Sequence, residues 1–313
     1  MSFFTLNYGH HKKPYCTLQA SKLFAVISLI VLMSCSDKNT SENIQYCYKN
    51  TNARTIIHDN TVREFIVYTP PSYDGTVAVP LMINFHGFGG IASDYFLEAD
   101  MRSLAESKNM ILVYPQGSCL DGSPHWNACP NGNDNKSNTD DFDFIEKMIE
   151  TISSEYTIDS ERIYATGYSN GGMMAFGLAN YKSDLIAAVA SVSGTMLDCT
   201  NSTNRPMPIL MLHGTADTVI PYNGNAYFNS VDTTINYWTV FNNTSTEPVF
   251  NSYTDDNTTI EHYTYNQGLD GVSVEYYKFI NGEHVWFNNS YQNLNTAELI
   301  YKFVSKYDIN GLR

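Results

Sequence analysis

From residue 62 onward, short apolar runs alternate with longer amphipathic segments. Residues 62–68 (VREFIVY) alternate apolar and polar positions like a half-covered strand, and Pro70-Pro71 stops them. The runs at 77–85, 110–114, 163–166, 187–192 and 209–212 show little alternation. Such runs fit strands of a parallel sheet covered on both faces. A last strand is expected at 272–279. The patterning predicts helices over 93–108, 142–150, 170–182, 223–237 and 295–307. Regular alternation of strand and helix predicts an α/β three-layer sandwich with a mostly parallel central sheet. Neither a Pro/Gly-rich linker nor an internal repeat divides residues 47–313, which read as one domain. Two polar stretches, 118–140 and 241–265, read as loops near the carboxyl ends of strands, where such sheets bind ligands.

Residues 1–34 have a different character. Lys12, Lys13 and Lys22 supply positive charge, and residues 23–33 are apolar but too few for a comfortable membrane span. The stretch ends in Leu32-Met33-Ser34-Cys35, which resembles the bacterial lipoprotein box. The resemblance implies a signal peptide over 1–34, cleavage before Cys35 and a lipid on its thiol. Residues 35–46 then form a polar tether, and the protein is expected in the bacterial cell envelope, lipid-anchored or secreted.

The whole chain of 313 residues carries 18 Lys and Arg against 32 Asp and Glu, a formal charge of -14. Without a basic stripe, nucleic acid is excluded as a partner and polyanionic substrates are disfavoured. Outside the leader, Cys47, Cys119, Cys129 and Cys199 allow two disulfides in an exported protein. Cys119 and Cys129 bracket a short loop and form the natural local pair, leaving Cys47 with Cys199. The Asn- and Asp-rich run 131–141 lacks calcium-loop spacing and reads as a solvated loop, so no metal is expected. Gly-rich pieces match neither a dinucleotide fingerprint nor a phosphate loop, so no cofactor is expected.

The chemistry concentrates at Gly167-Tyr168-Ser169-Asn170-Gly171-Gly172, a G-x-S-x-G pattern between an expected strand and an expected helix. A serine at such a corner sits in a strained turn with its hydroxyl projecting from the sheet. That hydroxyl needs a histidine base, and the base needs a carboxylate to fix its tautomer. Asp217, just past the 209–212 strand, and His284, just past the last strand, follow in the order Ser, Asp, His. The competing Asp140, Asp141 and Asp143 precede the serine and cap the next helix. His86 and His213 sit in His-Gly pairs that shape turns. Two backbone donors are expected for a developing oxyanion, Asn170 after the serine and Phe88 in His86-Gly87-Phe88-Gly89-Gly90. His125, Trp126, Tyr168 and Trp286 are candidate substrate-pocket residues; an aromatic wall suits a flat phenolic acyl group.

Four segments resemble the extracellular polyhydroxybutyrate depolymerase-like esterases, a group that includes the feruloyl and acetylxylan esterases of carbohydrate esterase family 1. They are His86-Gly87-Phe88-Gly89-Gly90, the Gly167–Met174 elbow, His213-Gly214-Thr215-Ala216-Asp217 through Tyr222, and Gly282-Glu283-His284-Val285-Trp286. The resemblance covers about residues 47–307. It implies an α/β-hydrolase fold, a Ser169–Asp217–His284 triad, an oxyanion contact near Phe88, and a cofactor-free monomer or dimer. It also implies hydrolysis of hydroxycinnamate or acetate esters of polysaccharide, with short-chain polyester or hydroxybutyrate oligomers as the alternative substrate. Glu283 and Phe287 depart from that group's usual neighbours of the histidine. A peptidase on the same scaffold and a non-catalytic binding lipoprotein are the remaining alternatives.

Overall fold

The computed structural model describes residues 53–129, 137, 139–199 and 203–313. The expected signal peptide, Cys35, the tether, Cys47 and most of the 131–141 run lie outside the described residues. In chain order the strands are β1 (Arg54–His58), β2 (Thr61–Tyr68), β3 (Val79–Phe85), β4 (Ile111–Pro115), β5 (Ser118–Leu120) and β6 (Ser123–His125). Then come β7 (Ile158–Tyr168), β8 (Ala188–Val192), β9 (Ile209–Gly214), β10 (Val249–Asp255), β11 (Thr258–Tyr265) and β12 (Val274–Phe279). Strands β5 and β6 form a separate small hairpin, the short strands Tyr307–Asp308 and Gly311–Leu312 form another, and the other ten form one sheet in the order β1-β2-β4-β3-β7-β8-β9-β12-β11-β10. Its middle, from β4 to β12, is parallel, and both flanks are antiparallel.

The helices are α1 (Ala92–Glu98), α2 (Arg102–Lys108), α3 (Asp141–Glu155), α4 (Asn170–Tyr181), α5 (Val231–Phe241) and α6 (Thr296–Val304). Alternation along each central strand feeds two cores. Leu81, Ile83 and Phe85 pack with Phe144, Phe176 and Trp238 beneath α3, α4 and α5. Met82 and Leu112 pack with Met101, Ala105 and Phe303 beneath α1, α2 and α6. The expected three layers are present, and every central strand is buried on both faces.

Four local expectations change. The helix read over 93–108 is two helices: the Asp100 carboxylate accepts from the Arg102 backbone N–H at 2.9 Å and breaks the run. The helix read over 223–237 starts only at Val231, where Ser230 caps it by accepting from the Thr233 N–H at 3.0 Å. The 118–140 stretch contains the β5–β6 hairpin. The 241–265 stretch, read as a loop, contains the β10–β11 hairpin. Its two-residue turn, Asp256-Asn257, has φ of 43° and 66°, the left-handed pair that matches strand twist. Asp59-Asn60 closes the β1–β2 hairpin at the opposite edge in the same way, with φ of 48° and 58°.

The disulfide pairing is also corrected. Cys129 bonds to Cys199, not Cys119, so Cys199 is not the partner of Cys47. Cys119 is itself disulfide-bonded. Nearness in sequence misleads here because β6 folds back on β5 and the chain beyond is pinned elsewhere. The Trp126 N–H is held by Asn170 and the Asn127 N–H by Asp141, which carries Cys129 away from the hairpin.

Candidate active site

After β3 the chain adds β4 on one side and later β7 on the other, so connections diverge between β3 and β7. A crevice opens at the carboxyl ends of strands where such a reversal occurs. Ser169 stands there, at the β7–α4 corner, with φ 55° and ψ -119°. A non-glycine residue in this region costs of order 1–3 kcal/mol and persists only where its surroundings enforce it. Enforcement is visible on both sides. The Ser169 N–H donates to Val192 O at 2.8 Å, and Ser169 O accepts from Met173 N–H at 3.0 Å to start α4. A Cβ on Gly167 would lie 2.3 Å from the Gly171 carbonyl, and one on Gly171 would lie 2.1 Å from Phe85 O. The flanking glycines of the pattern therefore serve close packing of α4 on the strand ends.

Asp217 and His284 come from the loops after β9 and β12, parallel neighbours in the sheet. These loops are tied together by Ala216 N–H to Gly282 O (2.9 Å) and Asn281 N–H to the Thr215 hydroxyl (2.8 Å). His284 Nδ1 lies 2.7 Å from Asp217 Oδ2, and Nε2 lies 2.9 Å from Ser169 Oγ. With Nδ1 donating to the carboxylate, Nε2 is left as the acceptor for the serine proton. The Tyr168 hydroxyl donates to His284 O (2.9 Å), and the Ser193 hydroxyl to Val285 O (2.8 Å), which fixes the loop on either side.

Burial pushes the Asp217 carboxyl upward, but the His284 hydrogen bond and the Ile220 N–H outweigh it and hold the group below its ordinary value of 3.8. Its other oxygen accepts from the Val219 and Ile220 N–H groups at 2.9 and 2.8 Å. His213 is also near, with Nε2 at 3.4 Å from Asp217 Oδ2, but that nitrogen donates to Ile220 O at 2.9 Å. Burial lowers its pKa, so His213 stays neutral and shapes the turn, as its His-Gly context suggested.

The turn after β3 is fixed by Gly89 N–H to Pro124 O (2.7 Å) and Gly90 N–H to Gly87 O (3.0 Å). Neither the Phe88 nor the Asn170 backbone N–H has an acceptor among the described residues, so both remain available for an oxyanion. Beneath the turn, His86 Nδ1 donates to Gly87 O (2.7 Å) while Nε2 accepts from Gly117 N–H (2.9 Å). Burial drives this imidazole down to about 4, consistent with a neutral support.

A cavity of about 350 Å³ opens beside Ser169, walled by Phe88, Trp126, Met173, Leu197, Ile220 and Phe228. A smaller one, about 190 Å³, lies on the other side of Phe88 and includes Tyr168, Tyr95, Asp94 and Glu98. Trp126 and Tyr168 thus border the two chambers. His125 also lines the larger one, but its ring is already engaged, with Nδ1 donating to Ser118 O at 2.9 Å. Trp286 lines neither; it packs edge-on against Tyr95, with centroids 5.9 Å apart. The sequence reading missed the side chain of Asn170, which clamps the Trp126 backbone through its amide oxygen (2.8 Å) and nitrogen (3.0 Å). It also missed Asp141, buried against Arg63 at 2.6 Å, whose second oxygen holds the Asn127 N–H. A hydroxyl, an oriented base, a buried carboxylate and two free amides together equip the site for nucleophilic attack on an acyl carbon.

Comparison with known proteins gives the same direction. The family model described as Phospholipase/Carboxylesterase matches residues 76–252, more than half of the chain. A bifunctional acetylxylan esterase/xylanase of Neocallimastix patriciarum is 26% identical over 80% of this chain and 34% of its own length. Feruloyl esterase B of Piromyces equi is 34% identical over 52% of this chain and 30% of its own. The chain thus spans about a third of each relative. Among solved structures, an acetyl xylan esterase from Aspergillus awamori superposes with a TM-score of 0.58 at 16% identity, over 81% of this chain and 98% of that one.

Proposed function

Because the chain belongs to the phospholipase/carboxylesterase family and has an α/β-hydrolase fold, we propose that it is a serine carboxylic-ester hydrolase. Its substrates in this reading are polysaccharide-derived esters carrying feruloyl or acetyl groups. The observation that supports it most is the unbroken hydrogen-bonded chain from Ser169 Oγ through His284 to Asp217.

Ser169 Oγ attacks the ester carbonyl while His284 Nε2 takes its proton. Asp217 stabilises the resulting imidazolium, and the Phe88 and Asn170 amides receive the oxyanion. Collapse of the tetrahedral intermediate expels the alcohol, protonated by His284, and leaves an acyl-serine. Water, deprotonated by the same histidine, then releases the acid. The apolar 350 Å³ cavity suits the acyl group, with Trp126 offering a face for a phenolic ring. The smaller cavity, with Asp94 and Glu98, suits a neutral sugar alcohol. The same apolar walls, Met173, Leu197 and Ile220, favour hydroxybutyrate oligomers as a second reading by identical chemistry.

Among the described residues no helix is long and apolar enough to cross a membrane. Attachment to the envelope through a lipid on Cys35 is part of the proposal and rests on the Leu32–Cys35 sequence.

Methyl ferulate, p-nitrophenyl acetate and hydroxybutyrate oligomers assayed side by side separate the acyl classes. Ser169→Ala is expected to lower kcat on all of them by roughly 10⁴-fold or more with the fold unchanged. Turnover near wild type in that variant overturns the assignment.

A further inference from the structure

A third cavity, of about 650 Å³, lies apart from the two chambers beside Ser169. It runs between α5 and the strands β11 and β12. Helix α5 packs on the sheet through Val231, Thr234, Ile235 and Trp238, leaving a polar stripe of Asp232, Asn236 and Thr239 along one wall, with Asn243 just past the helix end. The opposite wall is aromatic. Residues 263 and 265 of β11 share a face, and Tyr263 pairs across the ladder with Tyr276 of β12. The Tyr263 and Tyr276 rings are nearly parallel, 16° apart with centroids 6.0 Å from each other. Phe250 of β10, half exposed, lies beside Tyr263 at 5.1 Å with its ring tilted by 45°.

Aromatic faces opposed to a row of amides, hydroxyls and a carboxylate suit a ligand with flat C–H faces and a hydroxylated rim. Sugar rings have that composition. The charge in the groove decides which sugars. Lys278 is taken up by Glu261 at 3.3 Å, which leaves Asp232 uncompensated by any other cation lining the groove. An anionic polysaccharide is disfavoured and a neutral one is not. The Tyr222 hydroxyl donates to Asp232 Oδ1 at 3.1 Å, and burial, with help from the Asp232 charge, raises it to about 12.

The groove also connects to the reaction centre through the chain. Val219 and Ile220 line the cavity beside Ser169, and the same segment continues into Tyr222, which lines the groove. The geometry points to a second, non-catalytic site between α5 and β11 that binds a neutral oligosaccharide and holds the polymer whose ester side group reaches Ser169. This deepens the polysaccharide-ester reading and depends on it for the link to catalysis.

The test uses the full chain and neutral arabinoxylan oligosaccharides stripped of all ester groups, titrated calorimetrically. Wild type is expected to bind them, and Tyr263→Ala/Tyr265→Ala to bind about tenfold more weakly, the loss of two stacking faces. Asn236→Ala, at an exposed helix position, gives an independent variant and is expected to weaken binding in the same direction. Both variants should keep kcat/KM on p-nitrophenyl acetate and show a raised KM only on polymer-linked esters. No binding by wild type, or equal binding by properly folded variants, overturns the inference while leaving esterase activity untouched. Binding without ester turnover supports the site and removes the hydrolase reading. A change of oligomeric state in the variants, with saccharide binding intact, assigns the face to contact between copies and contradicts the proposal.

Discussion

Ser169 keeps a conformation that residues with a Cβ avoid because its neighbours leave no alternative, and the same neighbours supply the amide of Asn170 to the proposed oxyanion site. The Asn170 side chain does a separate job. By clamping the Trp126 backbone it positions the wall of the larger chamber. Asn170→Ala keeps the backbone donor and loses two hydrogen bonds, so we expect about 1–3 kcal/mol of stability to go. KM for aromatic acyl esters should rise more than kcat falls, and denaturant unfolding with steady-state kinetics checks both. His86 predicts a pH effect. Burial holds its folded pKa at about 4, while the unfolded chain protonates near 6.5. The unfolded state therefore binds the extra proton as pH falls from 6.5 to 4, and stability declines across that window by up to about 3 kcal/mol. His86→Gln should flatten the slope of unfolding free energy between pH 6.5 and 4; an unchanged slope contradicts the assignment. Ser169, Asp217 and His284 were legible in the sequence because each follows a strand in a turn-forming context. The Asn170 clamp was not, because its partner lies 44 residues away and only the fold joins them.

Elements show the same division. The central strands were readable because burial on both faces leaves a nearly continuous apolar run, as in Ile111–Pro115 and, but for Ser191, Ala188–Val192. The β10–β11 hairpin was not, since it is a polar edge ribbon in which only Ile260 is fully buried. Its signal was the Asp256-Asn257 turn between alternating segments. For α5 the missed signal was the Ser230 cap, overridden by apparent helical periodicity upstream. The cysteines misled because sequence spacing says nothing about where a rigid hairpin sends the chain. The Cys129–Cys199 bond closes a 70-residue separation around α3, β7, α4 and β8. Cys199→Ser is expected to cost about 2–4 kcal/mol. Because Ala128 and Leu197 line the larger chamber, KM should rise as well. Thermal unfolding and ester kinetics on the variant check these outcomes, and an unchanged melting temperature counts against them.

At the scale of the molecule, one sheet does the organising. Its parallel strands end on a common edge, and the reversal between β3 and β7 places the serine corner beside the Phe88 turn. The loops after β9 and β12 bring Asp217 and His284 together at that edge. The net charge of -14 disfavours anionic polymers as partners. All of this turns on one hydroxyl being the atom that accepts the acyl group. Labelling with a fluorophosphonate, followed by peptide mapping in a mass spectrometer, interrogates that atom directly. The expected result is one adduct per chain, on Ser169, formed in step with loss of esterase activity and absent from His284→Ala and Ser169→Ala. A labelled residue elsewhere, or full inactivation with Ser169 unmodified, contradicts it.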